Sequence, residues 1–387
     1  MLNKERSVGI GYRSFFFATV FVVAMVLFAI PFYGSLIVNA SSDFHVHLQY
    51  AKNIHKFSDI VSPHFGFQLG LLALSSLTLP LDAVGILLVS ASYGAMAVMI
   101  TAEMQRRAQK SDWRAASWVA IAVLVACQIN LLTAWKPNLY YGYFNAISYH
   151  NPSQQLMKGA ALAAWFLYVR DFVQDRRHVA FYRDASIAAL CIISAVCKPS
   201  FLIAFLPCAG LRSLVDMFHR RWIQVLRYAL VVAAPSILIL LWQVWFAYVD
   251  STNAGIAVRP FAIFPFSMEL LIKGILSLAF PIFVGVTFRK ELNLSSPLIW
   301  AYIFLTITLA YTLLLVETGP RSGDGNFAWS LQFGVFLVYV ESAILFFSSK
   351  SLRTARGLGG LVIFGLHVAC GLIMYAAATF FAENLWR

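Results

Sequence analysis

Two carboxylates and four of the chain's eight histidines fall between Asn39 and His64, in a chain that is 60% hydrophobic. The stretch follows directly on the first long apolar run. A carboxylate at Asp43 accepts a proton from a hydroxyl as general base. The bland alternatives are a solvated loop aspartate, or an N-cap for a helix that starts at Phe44. His45 and His47 stand two apart. On an extended strand they share one face and, with Asp43, suit a divalent metal; on a helix they point apart. No other HxH or HExxH pattern supports a metal, and the question stays open. His55 and His64 read as interface residues.

Lys198, in Lys198-Pro199-Ser200, is the second candidate. It lies at a predicted turn between two short apolar pieces, near membrane depth. A lysine there is costly and marks a functional site by default, with a lipid phosphate as partner; the alternative is a lysine that snorkels to the surface. The third candidate is the loop Glu317–Phe327, with Arg321 and Asn326 among glycines. Glycines let backbone approach a phosphate or sugar, and Arg pairs with anions; equally, glycines serve tight turns. His150-Asn151-Pro152-Ser153 is the fourth, and Asn-Pro also starts turns and helices. Glu269 and Lys273 are four apart, so the default is a pair on one helix face. The aromatics Trp135, Tyr140, Tyr141, Tyr143, Phe144 and Tyr149 read first as an interfacial belt, second as a stacking platform for a sugar.

These residues need a scaffold, and composition says which. Only 12% of the 387 residues are charged, about half the share of an average soluble domain. Repeated apolar runs reach the roughly 20 residues that a membrane crossing needs. The fold class is an all-α polytopic membrane protein, a single transmembrane domain over residues 1–387 with no soluble domain. A net charge of +12 does not point to nucleic acid, because the positives are scattered between apolar runs. The five cysteines sit in or beside apolar runs without CxxC spacing, so neither disulfide nor metal is expected of them.

Spans are expected at about 14–38, 83–103, 115–134, 154–174, a short pair within 185–211, 222–247, 263–288, 297–316, 328–348 and 358–382. That is about 11 crossings. The segment 66–79 reads as a juxtamembrane or re-entrant helix in the first outer loop, since a further crossing there would reverse the charge rule. Outer loops then cover about 39–82, 135–153, 249–262 and 317–327, and 20 of the 29 Lys and Arg face the cytoplasm. The N-terminus reads as cytoplasmic, ahead of an uncleaved first span. No internal repeat is evident, which weakens an inverted-repeat transporter.

One span, an outer loop that opens on an acid, and then a juxtamembrane helix: this layout resembles the GT-C class of bacterial polyprenyl-phosphate-dependent membrane glycosyltransferases. Asp43-Phe44-His45-Val46-His47-Leu48, Pro63-His64, His150-Asn151-Pro152, Lys198-Pro199-Ser200, Glu317-x-Gly-x-Arg321 and Gly325-Asn326-Phe327 look like marks of that class. The resemblance implies an inverting transfer at the outer face of the bacterial inner membrane. A sugar would move from a polyprenyl-phosphate-linked donor to a glycan or lipid acceptor of the cell envelope. Asp43 would be the base, and Lys198 and Arg321 would hold the lipid phosphate. His45, His47, His64, His150, Asn151, Glu317 and Asn326 would complete the substrate site. The chain departs from the class where histidines replace a second acid, which leaves a divalent metal as an open question, and in having no large soluble domain. The alternatives are a flippase or transporter of a lipid-linked sugar, or an O-antigen polymerase or ligase.

Overall fold

The computed structural model describes residues 2–38, 42–76, 78–108, 112–131, 143–174, 181–248, 255–319, 322–349 and 354–381, with side chains from residue 13 onward. Fourteen α-helices account for most of them. In chain order these are α1 (Leu2–Ile37), α2 (Asp43–Asn53), α3 (Gly66–Ser75), α4 (Leu81–Arg107), α5 (Trp113–Val125), α6 (Pro152–Tyr168) and α7 (Phe181–Cys197). There follow α8 (Leu202–Phe218), α9 (Trp222–Tyr228), α10 (Ala234–Tyr248), α11 (Met268–Thr287), α12 (Pro297–Leu314), α13 (Ala328–Ser348) and α14 (Ala355–Phe380). One π-helical turn, Val169–Val173, extends α6, and another, Ala229–Ala233, joins α9 to α10.

Seven helical segments among the described residues are long and apolar enough to cross a membrane: Arg13–Val38, Leu81–Arg107, Trp222–Tyr248, Met268–Thr287, Pro297–Leu314, Ala328–Ser348 and Ala355–Phe380. The protein is therefore an all-α polytopic membrane protein. Helix α13 is the central one: it is buried on every side, as a helix apolar all round should be. Helix α1 packs along α4, α6 along α7, and α12 along α13. Phe201, Phe304, Phe333 and Trp165 interlock where α6, α12 and α13 meet the start of α8. Helix α3 has ten residues, or about 15 Å at 1.5 Å each, half the thickness of a bilayer core.

Two expectations are corrected. Residues 115–134 do not form one helix, because α5 stops at Val125. Beyond it, the Cys127 N–H donates to the His367 carbonyl at 3.2 Å, and the Ile129 N–H donates to the Leu276 carbonyl at 3.1 Å. His367 Nδ1 donates back to the Cys127 carbonyl at 2.6 Å. Irregular backbone survives among apolar helices only when neighbours satisfy its polar groups, and here α11 and α14 do so. Helix α14 reaches the end of α5 because residue 371 is glycine; a Cβ there would lie 1.9 Å from the Val125 carbonyl oxygen. The second correction is a two-stranded antiparallel sheet, absent from the all-helical reading. Strands β1 (Ile256–Val258) and β2 (Leu315–Glu317) pair with Ile256 opposite Glu317. The sheet fastens the loop before α11 to the end of α12, and so fixes Glu317.

One end of the bundle is tied by buried ions. Glu103 accepts from Arg106 at 2.5 Å, Arg107 at 2.7 Å and Arg170 at 3.2 Å. Arg107 also reaches Glu341 at 2.5 Å, and Glu341 accepts the Trp165 indole N–H at 2.8 Å. These bonds join α4, the π turn after α6, and α13. Both carboxylates are buried, so removing one leaves guanidinium charge uncompensated. Glu103→Ala is expected to destabilise the fold by about 3–5 kcal/mol. Thermal unfolding in detergent measures it; a midpoint unchanged from wild type would show that the network carries no stability.

Candidate functional site

The other end of the bundle collects most of the residues singled out in the sequence. Helix α2 starts at Asp43. Its N-cap is Ser42, whose Oγ accepts the Phe44 N–H at 3.4 Å and donates to the His150 carbonyl at 3.3 Å. Phe44, Leu48 and Ala51, spaced four and three apart, bury one face of α2. Asp43 and His47 are four apart and share another face. Asp43 is therefore neither a loop aspartate nor the cap, but the first helical residue.

The Asn151 amide orients Asp43. Asn151 Oδ1 accepts from the Gln154 N–H and from Ser153 Oγ, each at 2.9 Å, and so caps α6. Its Nδ2 then donates to Asp43 Oδ2 at 2.6 Å. The Asn-Pro turn thus has both a structural and a site role, because one amide serves both. Asp43 Oδ1 makes no hydrogen bond among the described residues.

Beside this pair lies a cleft of about 590 Å³, within the usual range for ligand sites. His47, His64, Asn151, Lys198, Glu317 and Asn326 line its polar part. Leu240, Val244 and Ala247 of α10 line its apolar part. That wall belongs to a span only 17% buried within the protein, so its outer side faces lipid. Lys198 sits in the turn past the end of α7, outside every helix, half-buried in the cleft. Its Nζ lies 4.1 Å from the centroid of the Trp329 ring, a cation–π contact. Burial pushes the Lys198 ammonium down to about 7, against the pull of Asp43 and Glu317. Glu317 is held by Tyr248 Oη at 3.2 Å and by Asn326 Nδ2 at 2.5 Å.

His47 and His150 are neutral at neutral pH. Burial lowers His47 to about 4, with Lys198 adding to the shift and Asp43 opposing it. Burial and Lys198 lower His150 to about 3. Gln68 Nε2 donates to His47 Nδ1 at 2.9 Å, which places the His47 proton on Nε2. Neutral His47 offers a hydrogen bond to a substrate, and Lys198 is the one Lys or Arg in the described cleft lining.

No family model matches the chain, and no curated protein matches it in sequence.

His45 is exposed; neither it nor Asp43 is among the residues lining the cleft, and Asp43 borders it through its bond to Asn151. The helix explains this. Turning 100° per residue, it separates His45 from His47 and brings His47 to Asp43 instead, so the strand-based metal set does not form. Among the described residues no three His, Cys, Asp or Glu side chains gather as a metal site. Asp59 is used locally: it accepts the backbone N–H groups of His55 and Lys56, each at 3.0 Å, which lowers its pKa. Glu269 and Lys273 pair at 2.9 Å as expected. Arg321 lies outside the described residues, as do Trp135, Tyr140 and Tyr141. Tyr143, Phe144 and Tyr149 are buried rather than forming an interfacial belt. Trp329, Tyr248 and Gln154, whose Nε2 donates to the Trp329 carbonyl at 2.9 Å, were missed. Aromatics at the ends of apolar runs read as membrane anchors, and nothing in their spacing separates the two roles.

Proposed function

We propose that the protein is an integral membrane glycosyltransferase of GT-C type. It takes a sugar from a polyprenyl-phosphate-linked donor and passes it to a cell-envelope glycan or lipid acceptor. The observation that carries the reading is the cleft's division. The Lys198 ammonium and the Glu317 carboxylate, held by the Asn326 amide, line one part, and an apolar wall shared with the lipid phase lines the other. That chemistry suits an amphiphile with an anionic head.

In this reading Asp43 takes the proton of the acceptor hydroxyl. The hydroxyl oxygen attacks the anomeric carbon, and the bond from that carbon to the phosphate oxygen breaks. The lipid phosphate leaves with the electron pair, and configuration inverts. Lys198 stabilises the charge that develops on the phosphate. By resemblance, Arg321 adds a second cation. Asn151 keeps Asp43 facing the acceptor. About 11 crossings of the bacterial inner membrane, a cytoplasmic N-terminus and a cleft at the outer face complete the proposal. The ion-tied end supports an enzyme over a flippase, since a two-sided path would have to part Glu103 and Glu341 from their arginines.

The test mixes purified protein in detergent with a panel of polyprenyl-phosphate sugars and candidate acceptors. Released polyprenyl phosphate is followed by mass spectrometry. Release is the expected result. Donor binding without release across the panel would favour a carrier.

A further inference from the structure

A second cavity, of about 400 Å³, adjoins the cleft. Asn145, His150, Phe264, Asp324, Trp329 and Gln332 are among its lining residues. Trp329 stands between the two spaces: its ring borders this one and carries the Lys198 ammonium of the other. The His150 ring lies 5.5 Å from it, and the next residue, Asn151, holds Asp43.

Two amides in this cavity are unspent. Gln332 is only 6% exposed, and its Oε1 finds no donor among the described residues. Asn145 Oδ1 is likewise buried without a donor. Both side chains line the cavity, so their amides border the space a ligand would fill. Each amide also carries an NH₂ and can donate as well as accept. The walls around them are aromatic: Tyr143, Phe144, Phe264 and Trp329.

We propose that this cavity is a binding site for an uncharged sugar unit, hydrogen-bonded by Asn145 and Gln332 and packed against Trp329. A pyranose presents hydroxyls that both donate and accept, around an apolar face of C–H groups. Mixed donor–acceptor amides and an aromatic wall complement both parts. The charge of the cavity selects further. Its described lining includes the Asp324 carboxylate and no Lys or Arg, so an anionic sugar meets repulsion without a counter-charge. The site differs from the cleft on this point, because the cleft has Lys198. The inference rests on the glycosyltransferase reading only for its role: an acceptor glycan held here would present its end across Trp329 toward Asp43. Sugar binding itself requires no turnover.

Saturation-transfer NMR on the full chain in nanodiscs tests it. The probes are cellobiose, maltose and N,N′-diacetylchitobiose, with digalacturonate as the anionic probe. At least one of the three uncharged disaccharides is expected to bind and digalacturonate not to. Gln332→Leu and Trp329→Leu are each expected to weaken that binding at least tenfold. Val244→Ala, which lines the cleft and not this cavity, is expected to change it less than threefold. Binding of none of the probes, preference for digalacturonate, or indifference to Gln332→Leu would each overturn the proposal. Circular dichroism shows whether a variant has folded, and Gln332→Asn, which keeps the amide, is expected to restore part of the affinity. Sugar binding in a protein that releases no polyprenyl phosphate would uphold this site and sink the transferase reading. Release with sugar binding untouched by both cavity variants would do the reverse.

Discussion

Asp43→Asn is expected to lower the rate of sugar transfer by about 10²–10⁴-fold, the usual contribution of a general base. Affinity for the lipid-phosphate donor is expected to change less than threefold. The reason lies in the hydrogen bonds of the residue. Asp43 Oδ2 accepts from Asn151 Nδ2 at 2.6 Å, and an asparagine oxygen still accepts that bond. Ser42 still caps α2, so the helix keeps its start. The variant therefore removes basicity and leaves shape almost intact. The measurement is single-turnover release of polyprenyl phosphate, with donor affinity taken from a separate binding titration. Transfer at a normal rate in the variant would strike Asp43 from the role of base. A parallel collapse of binding and rate would assign it to substrate binding instead.

Lys198→Met is expected to reduce affinity for polyprenyl phosphate by about 10- to 150-fold, which converts the 1.5–3 kcal/mol of a hydrogen bond to a charged group. Methionine keeps much of the side chain's length and its place beside Trp329. The pH dependence is the sharper test. A bound phosphate favours the charged ammonium, whereas burial holds the free group at about 7. Above pH 7 the free protein has lost that proton and must take it up to bind. Affinity is then expected to fall by up to about tenfold per pH unit, since one pKa unit equals 1.36 kcal/mol. Below pH 7 the lysine is already charged, and this cause contributes no slope. In Lys198→Met only the ionisation of the phosphate itself, near pH 6, remains. An equal decline above pH 7 in both proteins would place the titrating group elsewhere.

Both predictions concern residues that the sequence exposes by contrast. A chain with 12% charge marks its polar clusters, and Asp43, Lys198 and Glu317 stand out because almost everything around them is apolar. Their partners do not stand out. Asn151 is 108 residues from Asp43 and reads as an ordinary helix cap, which it also is. Trp329 reads as an interfacial tryptophan until Lys198 is found over its ring. The histidines show how one local choice redirects a prediction. His45 and His47 suggest a metal only on a strand, and a helix that starts one residue after Ser42 puts His47 on the face of Asp43 and turns His45 to the exterior.

The sequence by itself determined the class and the positions of most helices. The need to bury backbone polar groups in lipid leaves long apolar runs one solution, and that need is local to each run. The tertiary structure alone decided where α5 ends, because the Cys127 and Ile129 N–H groups leave the helix only for carbonyls that α14 and α11 supply. It also decided that two short strands fasten Glu317 opposite Ile256, and that Trp329, which lines the second cavity, carries Lys198 of the cleft on its ring. Those outcomes depend on contacts between segments far apart in the chain. Periodicity and charge report only what each segment does to its nearest neighbours.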